Sequence, residues 1–165
     1  MLHSIRRFTV RRGGQSLVEF AMVIPVFFLL LLGILDFGRI GLYFVAASDL
    51  ARSGARYAAD YDTGRGFTDA QVVAYVKQQA DSLGMANLTQ QTSCPTPQPP
   101  DPITSSSNAC YKPAVGSTYI FIDRTTSSAY VTVSIVYRFE PTTPMVRAFF
   151  QTYYLEASAT MQPEY

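Results

Sequence analysis

Few side chains in this sequence could do covalent or acid–base work, and their positions narrow the chemistry available. His3 is the only histidine, and it sits among Arg6, Arg7, Arg11 and Arg12 in a basic leader with no acid before Glu19. A nucleophile activated by imidazole, or a histidine-held metal, needs that ring inside a folded part, so neither is expected here. The carboxylates Asp69, Asp81, Asp101, Asp123, Glu140, Glu156 and Glu164 are scattered without motif spacing. Only folding could assemble two of them into a hydrolytic pair, the arrangement that a membrane-bound hydrolase would need. Gly64-Arg65-Gly66 reads as a turn at a helix end, not a phosphate loop. The expectation is no catalysis, no metal, no cofactor and no small-molecule substrate.

Two cysteines remain, Cys94 and Cys110. The loop between them carries Pro95, Pro97, Pro99, Pro100 and Pro102 and has little core of its own, which favours a disulfide staple. Closing such a loop is worth about 3 kcal/mol in the chain-entropy model. Two independent thiols are the other reading, and spacing does not decide between them.

Glu19 requires an explanation of a different kind. It stands at the start of the longest uncharged apolar stretch, Phe20 to Leu35, sixteen residues, flanked by apolar Leu17, Val18, Ile40, Leu42, Tyr43, Phe44 and Val45. A membrane-spanning helix needs about 20 such residues to cross about 30 Å of hydrocarbon. The preceding arginines mark the cytoplasmic side by the positive-inside rule. With a net charge of +1 the chain lacks the concentrated basic face of a nucleic-acid binder. Asp36 and Arg39, at i and i+3, are placed to pair near the outer interface. Val45-Ala46-Ala47 loosely matches a signal-peptidase site, but the charged interval containing Asp36 and Arg39 argues against ordinary signal cleavage.

These residues must be carried by elements that the pattern also predicts. One helix is expected from Ser16 to about Asp62, preceded by Gly13-Gly14, containing Pro25 and ended by Thr63-Gly64-Arg65-Gly66. Its length, roughly 70 Å, exceeds the bilayer, so its second half stands outside. There Ala47, Ala51, Ala55 and Ala59 form a stripe of small side chains for close packing, on the chain's own head or on neighbouring subunits. Arg52 and Arg56 share another face, with Asp49 and Asp60 spaced to pair with them. Thr68-Asp69-Ala70-Gln71 is a capping box opening a second helix, with apolar Val72, Val73, Val76, Ala80 and Leu83 and a stop at Gly84.

A polar, proline-rich stretch follows to about Gly116, and then the period becomes two. Strands are predicted over Tyr119–Asp123, Ala129–Phe139 and Tyr153–Met161, with Pro141 and Pro144 breaking the chain. In the middle strand Val131, Val133, Ile135, Tyr137 and Phe139 share a face opposite Thr132, Ser134 and Arg138. The fold class is α+β: a long membrane-spanning helix, then a small head of one further helix and a three- or four-stranded antiparallel sheet. Phe149, Phe150, Tyr153 and Tyr154 are read as core rather than as an adhesive patch.

Gly14-Gln15-Ser16-Leu17-Val18-Glu19-Phe20 resembles the class III signal sequence of type IV prepilins, especially the Tad (tight-adherence, Flp) branch. Gly33-Ile34-Leu35-Asp36-Phe37-Gly38-Arg39, Ala51-Arg52-Ser53-Gly54-Ala55-Arg56-Tyr57-Ala58-Ala59, and the strands ending Tyr137-Arg138-Phe139-Glu140-Pro141 and Met161-Gln162-Pro163-Glu164 are similar to TadE-like proteins. Residues 85–116 lie outside the resemblance.

That likeness implies a prepilin peptidase cutting after Gly14, which makes Gln15 the new first residue and Glu19 the fifth, followed by Phe20. The new α-amino group is cationic at neutral pH, and Glu19 would pair with it in its own or a neighbouring subunit. The implied organisation is a leader at 1–14, a transmembrane and extended helix at 15–62, and an extracytoplasmic head at 63–165 with a proline-rich loop at 94–113. The implied role is a minor pilin or pseudopilin in the cytoplasmic membrane, initiating, priming or capping a Tad-type pilus for surface adhesion. Its partners would be membrane lipid, the peptidase, other Tad subunits and the assembly platform. The competing reading is a signal-anchored, single-pass membrane protein with an extracytoplasmic binding head and no filament role.

Overall fold

Eighteen large apolar side chains between Leu17 and Val45 are exposed, whereas the last third of the long helix is built into a folded head; that division organises the molecule. The computed structural model describes residues 14–60, 67–85, 87–97, 109–124, 130–149 and 152–162. Helix α1 runs Gln15–Ala59 through Pro25, 45 residues or about 68 Å, with Gly14 before it. Large apolar side chains between Leu17 and Val45 are exposed, whereas Ala47, Leu50, Ala51 and Ala55 are buried. The helix is long and apolar enough to cross a membrane. It stops at Asp60, whose N–H still reaches Arg56 O at 2.9 Å. The basic leader up to Gly13, the turn at 63–66 and the distal prolines Pro99, Pro100 and Pro102 lie outside the described residues.

Helix α2, Asp69–Ser82, begins where the capping pattern places it: Gln71 Oε1 accepts the Thr68 N–H at 2.9 Å. Gly84, at φ +73°, closes its end, with Met85 N–H bonded to Ala80 O at 2.9 Å. Arg124 ties the start of α2 to the sheet, bonding Asp69 Oδ1 at 2.8 Å and Phe67 O at 2.9 Å.

The head contains one sheet of four strands in the order β1 (Leu88–Gln90), β2 (Thr118–Asp123), β3 (Val131–Phe139), β4 (Tyr153–Met161). Pairing is antiparallel from β2 to β4, in the register Ile120↔Ile135↔Ala157. β1, however, is parallel to β2, Thr89 facing Tyr119, so the sheet is mixed rather than wholly antiparallel. A three-residue strand is too short to show a period of two, and it falls in the stretch read as loop. Its parallel sense requires residues 91–117 to carry the chain back to the end of the sheet at which β1 began. A second departure is α3, Pro144–Phe149, where the sequence suggested only a break. Proline at the first helical position loses no hydrogen bond, because that N–H has no acceptor in any helix.

The inner face of the sheet packs on α1 and α2 through Leu50, Ala51, Ala55, Val72, Val76, Ile120, Val133 and Ile135. Gly54 lies at the centre of this contact: a Cβ there would stand 2.8 Å from Val76 Cγ2 and 3.3 Å from Val133 Cγ1. Phe121, Ser134 and Val136 are also buried on the outer face, the side on which the sequence places Thr132, Ser134 and Arg138. The cover comes from the ends of the cysteine loop. Tyr111 packs its ring 5.7 Å from Phe121, and Pro97 and Pro113 are buried. The head therefore has a main core and a smaller second one under the loop.

Candidate functional site

At the lower end of α1, Gly14 and Gln15 are exposed at the first turn. The Gln15 side chain donates from Nε2 to Glu19 Oε1 at 3.3 Å, one turn along. Glu19 is exposed, and Phe20 beside it is 65% exposed. A helix side places residues i and i+4 together, so a positive charge at the Gln15 nitrogen would stand within reach of this carboxylate. Among the described residues of the head, none has a hydrogen bond or ion pair with Gln15 or Glu19.

Asp36 sits where the apolar stretch ends, and it is 3% exposed. Burying a carboxylate demands compensation, and contacts from Thr142, Thr143 and Arg39 provide it. Thr142 N–H donates to Oδ1 at 3.3 Å, Thr143 N–H to Oδ2 at 3.2 Å, and Arg39 Nη1 stands 3.4 Å from Oδ1. Arg39 Nη1 also donates to Thr142 Oγ1. The guanidinium lies over the rings of Phe139 and Tyr43, at 5.6 and 5.9 Å. Asp36 and Arg39 thus form a latch that holds the turn before α3 against the helix. A cavity of about 50 Å³ lies alongside, lined by Phe37, Ile40, Val146 and Tyr153 among others.

The alanine stripe faces inward: Ala47, Ala51 and Ala55 are fully buried and Ala59 is 7% exposed, against the chain's own head. Asp49, Arg52, Arg56 and Asp60 lie on the exposed side of α1, lining an open groove with Tyr57, Tyr75 and Met161. The ion pairs expected among these four do not form: among the described residues none of them stands in a salt bridge. Their long side chains remain in water, where holding a fixed geometry gains little. Tyr57 is clamped between Phe67 and Tyr75, with ring centroids at 4.2 and 4.3 Å. Tyr43 stacks on Tyr137 at 4.8 Å; burial first and the neighbouring Tyr43 second push the Tyr137 hydroxyl up to about 12.

Cys94 and Cys110 are bonded to each other, with Cα atoms 6.0 Å apart. Tyr111 OH donates to Pro95 O at 3.0 Å across the same loop. On the outer face near it, Glu156 Oε1 and Ser134 Oγ are buried and have no hydrogen-bond partner among the described residues. Burial pushes the Glu156 carboxyl above the usual carboxylate range. No group of three or more potential metal ligands occurs among the described residues.

Thr142, Thr143 and Gly54 were not foreseen. The first two reach Asp36 through backbone N–H groups among other contacts, and a backbone N–H leaves no side-chain signature. Gly54 did leave one, as the only glycine inside a run of small residues on the buried helix face.

The family model for TadE-like protein matches residues 14–56. That segment begins at the residue preceding α1 and ends just short of its C-terminus, and it includes the first of the two helix segments whose sequence resembles TadE-like proteins and the second as far as Arg56. No curated protein and no solved structure matches the chain.

Proposed function

We propose that this chain is a minor pilin or pseudopilin of a Tad-type pilus machine, held by α1 in the cytoplasmic membrane with its head outside. The observation that carries the reading is the lower end of α1. The helix starts at Gln15, Glu19 follows one turn later among apolar residues with no partner among the described residues of the head, and the TadE-like match starts at Gly14. Cleavage after Gly14 by a prepilin peptidase would leave the Gln15 α-amino group beside the Glu19 carboxylate. A charge stranded in hydrocarbon costs about 3 kcal/mol, and pairing it with a cationic amine offsets that cost.

Other Tad subunits and the assembly platform are the partners this role requires. The head's size suits initiation, priming or capping of a filament used in surface adhesion. In this reading α1 carries the subunit through the membrane and the Asp36 latch sets the head on it.

Intact mass of the protein extracted from its native membranes tests the reading. Loss of residues 1–14 supports processing; a full-length mass overturns it and leaves a signal-anchored binding protein. Gly14→Ala should block the loss. Glu19→Ala should permit processing and impair assembly into filaments.

A further inference from the structure

We propose that the turn Pro141–Thr143 together with α3 is a lipid-contacting foot, seated in the headgroup layer of the leaflet on the head's side. The proposal rests on α1 spanning a membrane, but not on any pilus role.

Height along α1 gives the first argument. A hydrocarbon layer of about 30 Å counted from Glu19 takes up about 20 helical residues and ends near Arg39. Asp36 and Arg39 therefore stand at the outer boundary, and the hydrogen bonds from Thr142 and Thr143 to Asp36 fix the foot at that depth. Chemistry gives the second. An unshielded carboxylate at the hydrocarbon edge is costly, and the foot's two backbone N–H groups shield this one together with Arg39.

The exposed groups around the foot suit an interface. Phe37 is 62% and Tyr153 is 43% exposed beside it, as aromatic side chains are at the border of a bilayer. Arg147, on α3, is 67% exposed and reaches Glu140 only at 3.9 Å, leaving its guanidinium open to a lipid phosphate. Arg39, partly exposed, adds a second cation at the same height. The partner is phospholipid: acyl-chain border below, phosphate at the level of Arg147 and Arg39.

The chain contains no tryptophan, so one introduced ring reports a single depth. The full-length chain would be reconstituted in phosphatidylcholine vesicles doped with anionic lipid, in three variants. Leu30→Trp reports the span, Ala148→Trp the exposed side of α3, and Ala74→Trp the exposed side of α2. Quenching by a headgroup nitroxide lipid should be about threefold stronger for Ala148→Trp than for Ala74→Trp, with Leu30→Trp quenched best by deep acyl-chain labels. Adding Arg147→Glu to Ala148→Trp should reduce the headgroup quenching when the anionic lipid is present.

If Leu30→Trp is quenched deeply while Ala148→Trp matches Ala74→Trp, the foot is overturned and the span stands. If Leu30→Trp escapes quenching, the span is overturned and the foot with it.

Discussion

The carboxylate of Asp36, in the middle of α1, accepts the backbone N–H of Thr143 at 3.2 Å across 107 residues of sequence. With the Thr142 N–H on the other oxygen, this bond joins the membrane helix to the last part of the head.

Asp36→Asn keeps the shape but replaces one acceptor with an amino group facing an N–H. The loss should be about 2 kcal/mol, the range for hydrogen bonds to a buried charge. It should be local. Hydrogen exchange at Thr142, Thr143 and Arg147 should quicken, while Val133 and Ile135 keep their protection. Uniform acceleration across β3 would contradict the latch.

Gly54 separates two effects of opposite sign. Alanine gains about 1 kcal/mol of helix propensity, but its Cβ meets the stiff, branched Val76 at 2.8 Å. Overpacking costs about 1–3 kcal/mol, so Gly54→Ala should be net destabilising and Gly54→Leu more so. Urea unfolding in detergent, followed by tyrosine near-ultraviolet dichroism, would measure both.

Replacing Cys94 and Cys110 together by serine should cost about 3 kcal/mol and act on the second core first. Phe121 and Val136 lose their cover, so a hydrophobic dye should bind before the main core unfolds. Dye binding only at the global transition would show that the loop holds without its bond.

Glu156 gives a pH dependence of definite sign. Its folded carboxyl is raised above the ordinary range by burial, so the folded state keeps a proton that the unfolded chain has released. Its contribution is fully present below the unfolded carboxylate pKa and is lost as pH rises through the folded one. Glu156→Gln should therefore be more stable than wild type at neutral pH and should remove that part of the slope above the ordinary carboxylate pKa. Thermal melts across the window would show it.

The sequence revealed whatever repeats or caps. The alternation from Val131 to Phe139, the run Tyr153–Met161 and the Thr68–Gln71 box all became the elements they suggested. Contacts between one side chain and a remote backbone were hidden, which is why Asp36 could be matched to Arg39 by spacing but not to Thr142 and Thr143. Length hid β1, and the usual meaning of proline hid α3. The burial of Ser134 and Val136 was not legible, because nothing local announces that the ends of the cysteine loop fold back over them.

The direction of β4 has a mechanical consequence. Tyr153 lies beside Asp36 and Phe37 and Met161 beside Arg52 and Arg56, so β4 runs alongside α1 in the same sense. Tension between the head and its anchor then acts along the seam between helix and sheet. The latch at one end and the packed alanines at the other are loaded together in shear, not opened one after another like a zip. A chain joined in this way can be pulled hard by its head before the head comes off its stalk.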